Sequence, residues 1–285
     1  MTPSRLGTAP VARIGISGWR YVPWRNSFYP KGLVQDKELE YASNCLNTIE
    51  LNGTFYSLQK PESFIRWRDT VPEDFVFSIK GPRYITHMLK LRNAETALAN
   101  FFASGVLSLG PKLGPILWQL PATSKFDRAA LDAFLTQLPR TTTTAAGLAA
   151  GHEARMKDST WFKVTEDRPI RYALEVRNIS YDNAEAFELL RRHMVSLVVA
   201  DSAEKWPQFR EVTGDVVYVR LHGSEELYAR GYTDAQLDEW AETIHGWLSG
   251  ALCPDGRGRD VQLHFDNDIK VHAPFNAMAL AERLR

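Results

Sequence analysis

VVYVRLHG, residues Val216–Gly223, is the stretch of sequence that decides the fold. Every second residue in its middle is aliphatic, and the residues between them carry polar groups. The polar set is Tyr218, Arg220 and His222. Because successive side chains of a strand point to opposite faces, one face can pack against helices while the other lines a polar interior. This is the pattern expected of one strand in a closed barrel.

Seven more segments of similar length predict strands of the same sheet. They are Arg13–Trp19, Thr48–Phe55, Phe75–Gly81, Gly114–Leu120, Arg171–Arg177, Val195–Asp201 and Asp260–Asn267. Amphipathic segments that predict helices alternate with these strands. They are Asp36–Asn44, Pro61–Thr70, Asn93–Leu109, Phe126–Leu138, Asn183–His193, Thr233–Leu248 and Pro274–Leu284. Alternation of this kind predicts a parallel sheet with helices packed on it.

The sheet could close into a barrel or stay open and doubly wound. An open sheet of that kind usually carries a Gly-rich phosphate-binding turn after its first strand, and Gly18–Tyr21 does not form one. We therefore predict an α/β fold, a (β/α)8 TIM barrel, as a single domain over residues 1–285. The stretch Thr141–Thr165 has an irregular pattern and predicts an insertion before the fifth strand. Ser202–Asp215 predicts mostly loop.

Composition excludes several functional classes. Lys+Arg and Asp+Glu both number 34, so the net charge is zero and bulk charge does not favour nucleic-acid binding. The two cysteines, Cys45 and Cys253, lie outside any CxxC or Cys/His cluster, which argues against a zinc finger and a disulfide framework. No apolar run is long enough for a signal peptide or a membrane span. We expect a cytoplasmic protein with no membrane partner and no cofactor required by its sequence.

The apolar, helix-facing residues fix which side chains point into the barrel. The inward residues become polar toward the carboxyl end of nearly every strand, where barrel active sites lie. The inward set is Ser17, Trp19, Thr48, Glu50, Asn52, Thr54, Ser78, Lys80, Gln119, Ala173, Glu175, Arg177, Tyr218, Arg220, His222, His264 and Asp266. The sixth strand is too uniformly apolar to assign, although Asp201 ends it. So many inward charges predict a functional pocket at this end of the barrel.

We assign candidate roles by side-chain chemistry. A carboxylate tuned by neighbouring cations can transfer protons, and Arg and Lys clamp phosphate or carboxylate groups. The candidate catalytic residues are Glu50, Glu175 and His222. The candidate residues for binding a small anionic substrate are Asn52, Lys80, His87, Gln119, Arg177, Asp201, Arg220 and Asn267. The pattern predicts a pocket for a small phosphorylated or carboxylated ligand, and it leaves open whether the pocket catalyses a reaction.

Other interpretations of the same residues stay open. The charges could form a saturated ion-pair network, or a non-catalytic pocket that only binds its ligand. Glu175, Asp201, His222 and Asp266 could hold a divalent metal, although no HxH, HExxH or DxD spacing supports one and three cations share the cavity, so we assign no metal ligand. A nucleic-acid-binding or metal-dependent nuclease or repair barrel would need a basic, aromatic rim. The candidate rim residues are Arg20, Trp24, Arg25 and Arg83.

Blocks spread over most of the chain make it similar to the YecE-like family, also called domain of unknown function 72. The blocks are Ile16–Pro30, Tyr41–Leu58, Phe75–His87, Leu113–Pro121, Tyr172–Tyr181, Val199–Ser202, Val217–Gly223, Tyr232–Ala241 and Phe265–Asp268. The resemblance implies a (β/α)8 barrel and supplies no established activity. All of the candidate catalytic and binding residues lie within these blocks.

Three features depart from the family pattern. The block FDND, which contains Asp266, resembles Phe-Asn-Asn-Asp in the family, so Asp266 need not share a family role. Asn178 stands where the family usually has His. The Thr141–Thr165 stretch is longer than in compact members.

Overall fold

Parallel pairing runs around the whole sheet. The computed structural model describes residues 9–156, 159–223, 231–267 and 271–285. Within these ranges the strands are β1 Ala12–Ser17, β2 Thr48–Leu51, β3 Val76–Lys80, β4 Leu113–Gln119, β5 Tyr172–Glu175, β6 Val195–Leu197, β7 Val199–Asp201, β8 Val216–Leu221 and β9 Asp260–Phe265. Their order is β6-β5-β4-β3-β2-β1-β9-β8-β7. Only Val198 separates β6 from β7, so the two ends of the sheet meet within the predicted sixth strand and the sheet curls into a barrel.

Helices connect successive strands, as the alternation predicts. In the described ranges they are α1 Glu38–Cys45, α2 Gly53–Tyr56, α3 Pro61–Thr70, α4 Glu95–Ala103, α5 Arg128–Gln137, α6 Thr142–Ala149, α7 Ala184–Arg192, α8 Asp234–Ser249 and α9 His272–Arg283. Thr233 caps α8 in a reciprocal capping box with Gln236. None of the described helices is both long and apolar enough to cross a membrane. The predicted α/β TIM barrel is confirmed.

Two predicted elements end earlier than their patterns indicate. The predicted helix Asn93–Leu109 stops at Ala103, because Gly105 adopts φ 113° and ends the α-helical path. A 3₁₀ segment, Val106–Lys112, then leads into β4. The second strand stops at Leu51, and α2 replaces the rest of the predicted strand. Because the second strand ends early, the side chains that follow it lie at the mouth of the barrel. A longer strand would have carried them inside.

The predicted insertion contains regular structure. Its threonine run begins α6, since Thr141 and Thr144 form a reciprocal capping box at the helix start. Residue Trp161 returns to the outer helices, where its backbone N–H donates to the carbonyl of Ala103 over 2.8 Å. The described part of the stretch therefore includes a helix that packs beside α4, and the capping threonines account for the composition at its start. Ser202–Asp215, by contrast, contains neither helix nor strand, as predicted.

Two apolar regions hold the barrel together. The larger one lies between the sheet and the surrounding helices, and a smaller one fills the interior. The interior cluster consists of Leu117, Ala173, Val198, Ala200 and Tyr218. Val198 and Ala200 therefore give the sixth strand the inward face that the sequence could not assign. The apolar cluster forms a packed floor, so polar inward side chains can only gather above it, toward the carboxyl ends of the strands.

Candidate functional site

Arg220 lies at the centre of the charged residues and is fully buried. Its guanidinium donates to Glu50 from Nε over 3.1 Å and from Nη2 over 2.8 Å. Nη1 donates to Glu175 over 2.7 Å, and Nη2 donates to Asp266 over 2.9 Å. The remaining N–H faces Nε2 of His222 at 3.4 Å. All five donors of the guanidinium are thus engaged by the protein.

This geometry changes the role assigned to Arg220. We predicted that it holds a substrate anion, but none of its donors is left for one. It instead fixes three carboxylates from different strands at one point. His222 takes part in the same arrangement, since its Nδ1 lies 2.9 Å from Oδ2 of Asp266. An imidazole that carries its proton on Nδ1 fits both of these contacts.

The three carboxylates are held in their ionised form. Burial is the largest influence and raises the pKa of Glu50, but Arg220, His264 and Lys80 together outweigh it and keep that pKa below its usual range. The same balance, with Arg177 adding to Arg220, holds the pKa of Glu175 far below normal. Asp266 behaves likewise under Arg220 and His222. All three are therefore ionised near neutral pH, and the assignment of Glu50 and Glu175 to acid/base catalysis stays a prediction.

Glu50 is anchored more firmly than a reacting group needs to be. Besides the two bonds from Arg220, it accepts a 2.7 Å hydrogen bond from the hydroxyl of Tyr218 and a 3.1 Å bond from Ser17. Both of its oxygens are therefore shared between donors. We interpret Glu50 as a structural anchor of this centre, which we call the Arg220 cluster: Arg220, Glu50, Glu175, Asp266 and His222.

A neutral polar layer lies below the Arg220 cluster. Thr48 donates to the carbonyl of Val76 over 2.8 Å, and Gln262 donates to the hydroxyl of Thr48. Burial lowers the pKa of His264 to about 4, so its imidazole is neutral at pH 7. Its ring lies 5.3 Å from that of Tyr218. This layer lies beside Tyr218, which belongs to the apolar floor and donates to Glu50 in the Arg220 cluster.

Lys80 ends β3 on the open side of the cluster. Its side chain is buried, and its ammonium lies 4.5 Å above the ring centre of Phe55. Within the described ranges the ammonium of Lys80 makes no hydrogen bond and no ion pair within 4.0 Å, whereas the guanidinium of Arg220 is fully paired. Burial, followed by repulsion from Arg220, lowers the pKa of Lys80 to about 8. The prediction that Lys80 points into the pocket agrees with this placement.

Arg177 follows β5 and lies at the same level. Its Nε donates to Oε1 of Glu175 over 2.6 Å, and its guanidinium carbon lies 3.6 Å above the ring centre of Trp206. The two terminal amino groups form no hydrogen bond with any residue that the structure describes. Stacking on Trp206 holds the guanidinium flat, so its outer edge can meet an anion in a fork.

His87 is the imidazole at the mouth. It lies on a short π-helical segment, Tyr84–Met88, where its Nδ1 is 2.8 Å from the hydroxyl of Thr86. Its ring packs edge-on against Phe55 at 5.3 Å between ring centres. Burial, with added repulsion from Lys80 and other nearby cations, lowers the pKa of His87. The imidazole is therefore neutral at pH 7 and its Nε2 faces no described partner.

Two amides complete the inner wall of the mouth. Gln119 ends β4 and is buried. Its side-chain amide forms no hydrogen bond with a described residue. Asn52 precedes α2, and its Oδ1 is buried without a hydrogen-bond partner among the described residues. Both amides are free to bind a polar ligand. Their role in binding a ligand stays a prediction.

Two predicted binding residues serve the outer helices instead. Oδ2 of Asp201 accepts a 2.9 Å hydrogen bond from the hydroxyl of Tyr232, which precedes α8. Asn267 is buried and donates from Nδ2 to Oδ1 of Asn276 in α9 over 3.2 Å. These contacts tie the ends of β7 and β9 to helix starts, so both residues position the rim.

Sequence reasoning also missed Phe55 and Trp206 as parts of the pocket. Phe55 falls within a predicted strand, and Trp206 falls in a predicted loop with no periodicity to orient it. Each of them carries a cation on its ring face. An aromatic residue in the loop beside a predicted inward cation is the signal that could have indicated them.

The geometry does not favour the metal and nucleic-acid interpretations. Across the described ranges, no group of three or more His, Cys, Asp or Glu side chains is placed to hold a metal ion. Asp201 bonds Tyr232 outside the Arg220 cluster, so the four proposed ligands do not converge. Trp24 is fully buried and cannot stack on a base, and Arg25 donates to the buried carboxylate of Glu38 over 2.8 Å. The proposed basic, aromatic rim is wrong in these two residues.

Comparison with known proteins gives one consistent result. The sequence profile described as "Protein of unknown function DUF72" matches residues 13–285. The UPF0759 protein YecE of Escherichia coli K12 is 34% identical over 127 residues, which is 44% of this chain and 44% of that protein. The UPF0759 protein YunF of Bacillus subtilis 168 is 27% identical over 113 residues, or 38% of this chain and 39% of that protein. The matched segments thus span less than half the length of these curated relatives.

Solved structures agree on the fold. A DUF72 family protein of Thermotoga maritima MSB8 is 24% identical, with a TM-score of 0.74, covering 96% of this chain and 99% of that one. A DUF72 family protein of Enterococcus faecalis V583 is 18% identical, with a TM-score of 0.70, covering 96% and 95%. At these identities the similarity establishes the barrel architecture and carries no information on activity.

Proposed function

The chain belongs to the DUF72 family of proteins of unknown function, and we propose that its pocket binds a small anionic ligand and acts on it as an enzyme. The ligand carries a phosphate or carboxylate group and enters at the carboxyl ends of the strands. The observation that supports this proposal is the pair of cations at the mouth, Lys80 and Arg177, whose outer donors have no partner among the described residues.

The contrast between two layers explains why these cations bind a ligand. In the Arg220 cluster every donor and every carboxylate is paired, so this layer is complete without a ligand. Above it, the ammonium of Lys80 is buried with no anion in contact among the described residues. Arg177 pairs with Glu175 through Nε alone, so its two terminal amino groups contact no described anion. Taking a charged group out of water is costly unless a partner compensates it. A phosphate or carboxylate of the ligand supplies that partner, and the amides of Gln119 and Asn52 can bond its polar groups.

Proton transfer in this pocket is best assigned to His87. Its imidazole is neutral at pH 7 because its pKa is lowered, and Nε2 is available to accept a proton. The carboxylates of Glu50 and Glu175 remain predicted catalytic residues, but we propose that they act by orienting Arg220 and Arg177. His222 shares this orienting role through Asp266.

The first test is anion binding. We expect inorganic phosphate and a panel of phosphorylated and carboxylated metabolites to raise the Tm of the full chain, with affinity measured by calorimetry. Replacing Arg177 or Lys80 by Met removes one charge-assisted contact each, worth about 1.5–3 kcal/mol, so affinity falls roughly 10- to 100-fold. The matched control is Arg192→Met, because Arg192 pairs with Glu188 on an exposed helix face.

Several results would contradict the proposal. If no anion stabilises the wild-type protein, or if both variants bind as tightly as the wild type, the pocket is not an anion site. Binding without any product across the panel would refute the enzymatic part and indicate a non-catalytic ligand-binding protein. Salt-dependent binding of an oligonucleotide that survives both substitutions would favour the nucleic-acid alternative.

A further inference from the structure

We propose that Lys80 is a nucleophile that forms a Schiff base with the carbonyl carbon of an anionic aldehyde or ketone. This inference rests on the proposed anion pocket and names its substrate class. A lysine acts this way when its amine is desolvated, is free of hydrogen bonds and has a fixed backbone. Lys80 meets each of these conditions.

The backbone of Lys80 is fixed from two sides. Lys80 is in register with Leu117 of β4, and its neighbour Ile79 is in register with Leu51 of β2. The carbonyl of Lys80 also accepts a 2.7 Å hydrogen bond from the hydroxyl of Thr54. The side chain of Lys80 therefore extends from a rigid strand end. Rigid elements position reacting atoms more closely than loops do.

The amine of Lys80 differs from that of the other partly buried lysine, Lys112. Lys112 donates to the backbone carbonyls of Arg68 and Val71 over 2.7 and 2.6 Å, so its amine is engaged by the protein. Lys80 has only the ring face of Phe55 as a close partner in the described part of the chain. Burial and Arg220 lower its pKa to about 8, so about a tenth of the amine is neutral at pH 7, far more than for an ordinary lysine.

The reaction balances without any oxidant or reductant. The neutral Nζ attacks the carbonyl carbon, a C–N bond forms, and the carbonyl oxygen takes up a proton. Both hydrogens of the amine finally leave with that oxygen as one water molecule, and a C=N bond remains. His87, which packs on the same Phe55 ring, can take and return the proton in transit. The terminal amino groups of Arg177 hold the phosphate or carboxylate that orients the carbonyl.

Reductive trapping tests the inference on the intact chain. The probe is pyridoxal 5′-phosphate with cyanoborohydride at pH 7, followed by peptide mass mapping of all lysines. We expect label on Lys80 at least about tenfold faster than on Lys112 or on the exposed Lys60. Pyridoxal, which lacks the phosphate, should label Lys80 about tenfold more slowly, and inorganic phosphate should slow labelling by the phosphorylated probe.

Two variants separate this inference from the anion pocket. Lys80→Arg keeps the positive charge but cannot form an imine, so labelling at this position is lost. Arg177→Met keeps the amine and loses the preference for the phosphorylated probe. If the wild type binds phosphate but Lys80 is labelled no faster than Lys60, the Schiff-base inference fails and the anion pocket stands. If Lys80 is labelled quickly by both probes and phosphate has no effect, the anion pocket fails instead.

Discussion

Removing Arg220 should destabilise the protein more than removing any exposed arginine. Arg220→Met leaves Glu50, Glu175 and Asp266 without their shared cation inside the barrel. Each carboxylate keeps one other donor residue or more, since Tyr218 and Ser17 bond Glu50, Arg177 bonds Glu175 and His222 lies beside Asp266. Because of these remaining donors, we expect the cost of breaking one buried ion pair rather than three. That cost is about 3–5 kcal/mol of unfolding free energy at pH 7. For a chain of 285 residues this lowers Tm by roughly 6–10 °C.

The pH dependence of the stability lost in Arg220→Met identifies the cause of that loss. In the wild type the pKa values of the three carboxylates lie below their unfolded values, so their contribution is complete above about pH 4.3 and is lost as the pH falls through the folded values. Without Arg220, burial dominates and raises these pKa values above the unfolded ones. The variant then loses stability as the pH rises, so its deficit should be larger at pH 7 than at pH 5.

Thermal unfolding followed by circular dichroism at pH 5, 6 and 7 measures both the stability deficit of Arg220→Met and its pH dependence. Arg192→Met is the matched control, because its ion pair with Glu188 is exposed on both sides and is worth less than about 0.5 kcal/mol. A Tm within about 2 °C of the wild type for Arg220→Met at pH 7 would refute the reasoning. An equal deficit at all three pH values would show that lost packing, rather than uncompensated charge, is the cause.

Further predictions concern single residues. Labelling of Lys80 by cyanoborohydride trapping should rise with a midpoint near pH 8, and a midpoint above pH 10 would contradict its lowered pKa. Gly15→Ala should cost more than about 3 kcal/mol in urea unfolding, because its Cβ would lie 1.9 Å from the backbone oxygen of Thr48. Gly147→Ala, whose Cβ meets nothing within 4 Å in α6, should instead stabilise by about 0.5–1 kcal/mol. Thr233→Ala removes the cap of α8 and should cost about 1 kcal/mol; an unchanged unfolding midpoint would refute the capping role.

The sequence predicted the inward face of most strands correctly. Alternation in β8 assigned Tyr218, Arg220 and His222 to the interior, where the structure buries all three. The same rule assigned Glu50 and Glu175 inward. This succeeds because strand parity is a local property that helix-facing aliphatic residues reveal. It could not assign the sixth strand, because apolar residues such as Leu197, Val198 and Val199 occupy both faces of that strand.

The roles of those residues could not be predicted in the same way. Arg220 was expected to bind a substrate, and the nucleic-acid interpretation alone placed Trp24 on an aromatic rim. Arg220 instead bonds Glu50, which is 170 positions away in the chain, and Trp24 is covered by the loop that carries it. Both outcomes depend on contacts between elements that are distant in sequence.

By itself, the sequence determined that this protein is a parallel α/β barrel with charged residues at its strand ends. The period of apolar residues was enough, because burial of one face is the main force that orders a strand. Only the tertiary structure decided which charges neutralise each other and which remain available to a ligand. Pairing of long side chains depends on distances across the barrel to within about 1 Å, and periodicity along the chain carries no information on those distances. Arg220 and Lys80 are both inward cations by sequence, and only the fold distinguishes the engaged one from the free one.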